Sequence, residues 1–249
     1  AFGTFPSTDD DSHLAVSGWN LSLAEQKGLD LLVECGSCYS SLQTGREHIL
    51  AHEERKARVN ELLVPVGRSV EGKARVRHIT DILYNEVGLD KISASVTKSL
   101  EGMHAVVQYP CHTLFPSELV GFDSPPARPH ILRNLVEALG AEVDSFSREY
   151  QCCGGAGGFH NVSHAEAQAY TRAKLDAIKN ETRADLIVVS CITCLMHLDN
   201  VQKQLSAGNG AYNIPVFDYN QILALCMGHD AREVAPICSV PRESVTARF

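Results

Sequence analysis

At 249 residues, 44% of them apolar, the chain can fill one large or two modest cores. Its net charge of -8 argues against a nucleic-acid surface and gives no pointer to acidic lipids. No run of eighteen apolar residues exists to span a membrane, and the opening Ala1-Phe2-Gly3-Thr4-Phe5-Pro6 lacks the basic flank and apolar stretch of a secretory signal, so the expected setting is cytoplasmic.

Taken in chain order, Asp9-Asp10-Asp11 suits a helix start, and residues 14–27 carry helical spacing. Residues 29–34 form a short, dense apolar run of the kind expected of a strand covered on both faces, and it delivers Cys35 and Cys38 at its carboxyl end. Glu53-Glu54-Arg55-Lys56 reads as solvated helix surface. Residues 64–98, with Pro65, Gly67 and Gly72, read as the end of one unit and its connection to the next. A second strand, 105–109, leads to Cys111. Residues 129–139 are helical, with Pro129 suited to a first turn. After the pair Cys152-Cys153 and a glycine run to Gly158 comes a helix over 163–179, where Ser163 and Glu166 match a capping box. A third strand, 186–190, ends at Cys191 and Cys194. Residues 219–227 form a further helix, and an irregular extension follows from Ala231. Strands alternating with helices predict an α/β fold with mostly parallel sheets, whose ligands bind beyond the carboxyl ends of the strands.

Aligning Cys35 on Cys191 places Leu31-Leu32-Val33 over Ile187-Val188-Val189, and Leu42 over Leu198. After a shorter linker, Val76, Ile82, Leu83 and Gly88 fall over Val216, Ile222, Leu223 and Gly228. Two copies of one unit follow: residues 1–98 as the later part of a first domain, 99–230 as a complete second domain, and 231–249 as a tail. Phe2 falls nearly over Phe159. The same offset puts the first unit's lone cysteine about 45 residues before Ala1, so part of the native chain is expected upstream.

Nine cysteines without an export signal read as metal ligands or redox groups rather than disulfides. Several thiolates brought together repel one another unless a cation compensates, and one Cys, a Cys-Cys-Gly and a Cys-x-x-Cys converging on one point imply an iron-sulfur cluster. Gly154 and Gly155 let the backbone approach such a group and aim N–H donors at its sulfurs. Cys191 and Cys194 alone are also compatible with a redox dithiol or half a zinc site, and zinc is not excluded. Cys226, in an apolar helix, reads as a small buried hydrophobe, and Cys238 matches nothing. His112 and His160 stand within reach of a cluster or substrate, whereas His197 reads as a helix-face residue. Arg128, Arg133 and Arg172 are candidates for an anion site by chance alone.

Tyr109-Pro110-Cys111-His112, the run Cys152-Cys153-Gly154-Gly155-Ala156-Gly157, and Val189-Ser190-Cys191-x-x-Cys194 resemble the cysteine-rich CCG domain. With Ala24-Glu25 and Glu34-Cys35-Gly36-Ser37-Cys38-Tyr39 ahead of them, the duplicated form resembles the B-subunit of heterodisulfide reductase from methanogenic archaea. The resemblance implies two tandem pseudo-symmetric CCG domains and two noncubane [4Fe-4S] clusters. One would be held by Cys111, Cys152, Cys153, Cys191 and Cys194; of the other's ligands the sequence carries Cys35 and Cys38. It further implies two-electron reduction of the coenzyme M-coenzyme B disulfide to two thiols. The implied partners are a subunit with cubane clusters, a flavin subunit, and a hydrogenase or formate dehydrogenase. Two rival readings share the cysteines: an electron-transfer subunit of a succinate or fumarate reductase or of a glycolate or lactate oxidase, and a zinc-stabilised adaptor without catalysis.

Overall fold

The structure, a computed structural model, describes residues 8–155, 159–205 and 212–249. Phe2, and Ala156, Gly157 and Gly158 of the glycine run, lie outside the described residues.

The apolar runs become short parallel strands. In the first half β1 (Leu31–Val33) pairs with β2 (Val76–His78). In the second half β3 (His104–Gln108), β4 (Glu142–Val143), β5 (Leu186–Val189) and β6 (Val216–Asp218) form a sheet in the order β4-β3-β5-β6. Leu31 pairs with Val76 and Ile187 with Val216, and Val33 pairs with His78 as Val189 does with Asp218. The positions that align in sequence therefore share one register. Both β2 and β6 end in an N-cap: His78 accepts from the Thr80 N–H, and Asp218 from the Asn220 N–H. After each following helix a glycine turns the chain at positive φ, Gly88 at 86° and Gly228 at 97°.

Among the described residues eight helices of seven or more residues surround the strands: α1 (Asp10–Glu25), α2 (Gly36–Ala51), α3 (Glu53–Leu63), α4 (Leu89–Ser95), α5 (Ile131–Glu137), α6 (His164–Glu181), α7 (Ile192–Leu205) and α8 (Tyr219–Cys226). In the four-stranded sheet, Ala105, Val107, Leu186 and Val188 face α5 and α8, while Val106, Ile187 and Val189 face α6 and α7. That alternation is the period of two that strands impose. Among the described residues no helix is long and apolar enough to cross a membrane.

Three local expectations need correction. Among the described residues the strand containing Leu32 is covered on one face: α1, α2 and α3 pack there, and Leu32 is 58% exposed on the other. Pro129 precedes the cap of α5 instead of entering its first turn, because the Asp123 carboxylate accepts from the His130 and Ile131 N–H groups and starts the helix there. Ser163 caps α6 by position, yet its hydroxyl makes no capping bond; the capping box lies at Asp218 and Gln221. The irregular stretch from Ala231, broken by single helical turns at Ala231–Val234 and Glu243–Thr246, is clasped onto the sheet. Arg242 donates to the Val216 carbonyl and lies over the Phe217 ring at 4.5 Å, Asp199 accepts from the Ser239 and Val240 N–H groups, and Val245 is fully buried.

Candidate metal-thiolate centre

Cys35, Cys111 and Cys191 stand where strands end, and Cys152-Cys153 follow a turn after β4. Cys35 is the residue before α2, Cys191 the residue before α7, and Cys111 opens a single helical turn after β3. Cys38 and Cys194 fall one turn into their helices, so the helix amino ends point toward the sulfurs and favour thiolate. The two halves meet at the site itself. Gly36 packs against Pro110 and Thr113, and a Cβ there would lie 2.8 Å from Pro110 Cβ.

The seven sulfurs form one connected file. Cys38 stands close enough to Cys35 for each to shift the other's thiol, and Cys35 Sγ lies 3.7 Å from Cys191 Sγ and 3.6 Å from Thr193 Oγ1. From Cys191 the file runs through Cys194 and Cys153 to Cys152 and Cys111. Cys226 and Cys238 stand outside it: Cys226 is buried in α8 among apolar side chains, and Cys238 is exposed in the C-terminal segment.

The glycines of the motif act on both of their sides. The Gly154 N–H donates to Cys152 Sγ at 3.3 Å and the Gly155 N–H to Cys153 Sγ at 3.4 Å. On the opposite side there is no room for a side chain. A Cβ on Gly154, whose φ is 97°, would lie 2.6 Å from the Ala167 carbonyl oxygen, and one on Gly155 would lie 2.6 Å from His197 Cβ. Behind them, the Thr171 hydroxyl bonds the Cys153 carbonyl at 2.8 Å and meets His197 Nε2 at 2.8 Å. His197 is thus a buried support for the loop, as its helical position suggests.

His112 Nδ1 lies 3.5 Å from Cys111 Sγ. His160 instead stacks edge-on against His164 and His197, at 4.5 and 5.1 Å. Arg133 is consumed internally: it donates to the Val143 carbonyl, Ser145 and Glu149. Arg172 lines a shallow surface depression on α6, and Arg128 lies in the turn closed by its N–H to the Pro125 carbonyl. None of the three converges on the thiols through a described contact.

Crowding decides the protonation of the file. The neighbouring Cys191 and Cys38 push the Cys35 thiol far below its ordinary value. Neighbouring thiols, helped by burial, drive Cys38, Cys111 and Cys194 far upward, and the hydrogen bond with Cys152 leads in raising Cys153 to about 12. Full deprotonation therefore needs positive charge spread along the whole file, which a multi-iron group supplies. Among the described residues no group of three or more Cys, His, Asp or Glu side chains is arranged to hold a single metal ion. A donor set of sulfur alone, backbone N–H groups aimed at two of the sulfurs, and glycines where side chains would collide together fit an iron-sulfur group.

A further pair marks the seam. Asp218 is buried, and burial, reinforced by the neighbouring Glu34, raises its carboxyl to about 8. Asn220 bridges the two, donating to Glu34 at 2.9 Å and to Asp218 at 3.0 Å. Sequence reasoning missed this pair, although its position over His78 in the repeat carried the signal.

The cysteine-rich CCG domain matches residues 105–199. The chain is 41% identical over 250 residues to a heterodisulfide reductase B-subunit-like protein of Archaeoglobus profundus, covering all of this chain and 83% of that one. It is 34% identical to the B-subunit of the ferredoxin/F420H2-dependent CoB-CoM heterodisulfide reductase of Methanosarcina acetivorans, covering 93% of this chain and 77% of that one. It is 30% identical to the 8-methylmenaquinol:fumarate reductase membrane anchor subunit of Wolinella succinogenes, covering 89% and 75%. The crystal structure of a hypothetical protein from Helicobacter pylori matches with a TM-score of 0.72 at 13% identity. That match covers 95% of this chain and 43% of the other, and it bears on the fold alone.

Proposed function

Because the chain belongs to the family of heterodisulfide reductase B-subunits and their CCG-domain relatives, we propose that it is the iron-sulfur subunit of a CoB-CoM heterodisulfide reductase complex. The reaction takes one disulfide, two electrons and two protons to two thiols. The observation that carries this reading is the 3.7 Å approach of Cys35 to Cys191, which places the thiols of the two halves side by side at one seam. A disulfide lying along that seam is within reach of both halves at once.

Two noncubane [4Fe-4S] clusters would supply electrons one at a time, with iron faces for the separating sulfurs. Cys111, Cys152, Cys153, Cys191 and Cys194 would hold one, in a second CCG domain of residues 99–230. Cys35 and Cys38 would contribute to the other, in a first CCG domain whose later part is residues 1–98, with 231–249 as a tail. The remaining work falls to this chain's own groups. Gly154 and Gly155 donate N–H bonds to Cys152 and Cys153 and so favour their anionic state. Thr171 and His197 fix the loop that carries them. His112 holds a proton-bearing ring beside Cys111, and Asp218 keeps a proton at neutral pH behind Glu34, next to Cys35. Cubane-cluster and flavin subunits are the electron source in this reading, in a cytoplasmic complex.

The Wolinella relative favours a second reading, an electron-transfer subunit of a fumarate-reducing complex. The experiment that separates them is oxidation of a reduced viologen by the full-length subunit in its complex. Stimulation by the coenzyme M-coenzyme B disulfide and none by fumarate is expected; the reverse overturns the first reading in favour of the second.

A further inference from the structure

Lysine is almost never fully buried, yet Lys174 on α6 is completely so. Its ammonium donates to the carbonyls of Arg148 and Glu149, the latter at 3.3 Å, and lies 5.2 Å from the centre of the Phe146 ring. Those two carbonyls belong to the turn that leads directly into Cys152-Cys153. The Glu149 carboxylate is bonded elsewhere, to Arg133 at 3.1 Å. The ammonium is thus solvated by carbonyl dipoles and an aromatic face instead of a carboxylate. Burial lowers its pKa to about 8, which leaves it charged at neutral pH. In the first half, α1 stands against α2 as α6 stands against α7, and its sequence contains neither lysine nor arginine.

We propose that Lys174 is a positioning residue of the second thiolate site: a buried cation that tethers the Cys152-Cys153 loop and raises the reduction potential of the group those cysteines hold. This rests on the iron-sulfur reading above. Reduction adds negative charge to the site, and a cation held in a medium of low dielectric favours that state.

The test is a redox titration of the full-length subunit in its complex, followed by electron paramagnetic resonance, with iron and acid-labile sulfide measured alongside. Lys174→Gln keeps a hydrogen-bond donor and removes the charge. It is expected to lower the second-site potential by about tenfold in the one-electron equilibrium, ~59 mV, while Lys174→Arg stays within roughly a third of that shift. Glu149→Gln removes a negative neighbour and moves the potential upward. An unchanged potential in an iron-replete Lys174→Gln protein, or an equal fall in Lys174→Arg, overturns the inference. If Lys174→Gln binds no iron, Lys174→Arg decides: restored iron with a second-site potential near the wild-type value supports the inference, and loss of iron in Lys174→Arg as well overturns it. Absence of iron and sulfide from the wild-type protein would sink the cluster reading instead.

Discussion

The β1-β2 and β5-β6 pairs share one register, and yet they live in different surroundings. Val188 at the centre of β5 is wholly buried between two helical layers, whereas Leu32, at the same place in β1, is 58% exposed. The comparison teaches that register and cysteine placement are properties of the local unit, set by the strand, its N-cap and the helix that follows. Closure of a core is a property of the layers around it. The cysteines need only the former, which is why both halves present them in the same way.

The sharpest way to break this comparison is to place a charge at the matched positions. Val188→Asp puts an unpaired carboxylate in a closed core and is expected to cost ~3 kcal/mol or more, whereas Leu32→Asp is expected to stay within about 0.5 kcal/mol. Urea unfolding of both variants reads the difference, and equal losses would mean that β1 is covered in solution. Next in size is the effect on the thiol file. Cys153→Ser should abolish the second-site iron signal and turnover, Cys38→Ser should spare the second-site signal, and Cys226→Ser should leave both nearly normal, as iron analysis and spectroscopy will report.

The smallest effect concerns the two caps. His78 is held neutral by burial at about 4, below its ordinary 6.5. Its contribution is present above 6.5 and is lost as the pH falls toward 4. Asp218 is held neutral at about 8, above its ordinary 3.8, so its contribution is full below 3.8 and is lost as the pH rises through 8. Matched positions therefore loosen in opposite directions, β2 in acid and β6 in alkali. Hydrogen exchange of the β2 and β6 amides across pH 5 to 9, corrected for intrinsic rates, should show it. Asp218→Asn keeps the cap and should flatten the alkaline side.

Much of this was legible in advance. The repeat alignment paired Leu31 with Ile187 and Val76 with Val216, and those residues turned out to be partners in the two ladders. Cys35, Cys111 and Cys191, being tied to strand ends, were equally visible. Caps were less so. Ser163 with Glu166 has the composition of a capping box without its geometry, while Asp218 with Gln221 has both. Lys174 was invisible for a different reason. Set among Arg172, Asp176 and Lys179, it reads as one more solvated charge, and only the carbonyls of Arg148 and Glu149 draw it inside. Burial of that kind depends on residues about 25 positions away, which no local pattern encodes.

The clasp over β6 bears on the order in which the protein is made. Cys194, the last thiol of the file, leaves the ribosome about 50 residues before Arg242 and Val245, which cap the end of that sheet. At ordinary synthesis rates the interval is roughly 3–10 s. During it, all seven thiols have emerged while the sheet beneath them still lacks its final cover, so under the iron-sulfur reading proposed above the nascent chain would have a brief, open interval in which to receive metal before Arg242 and Val245 arrive.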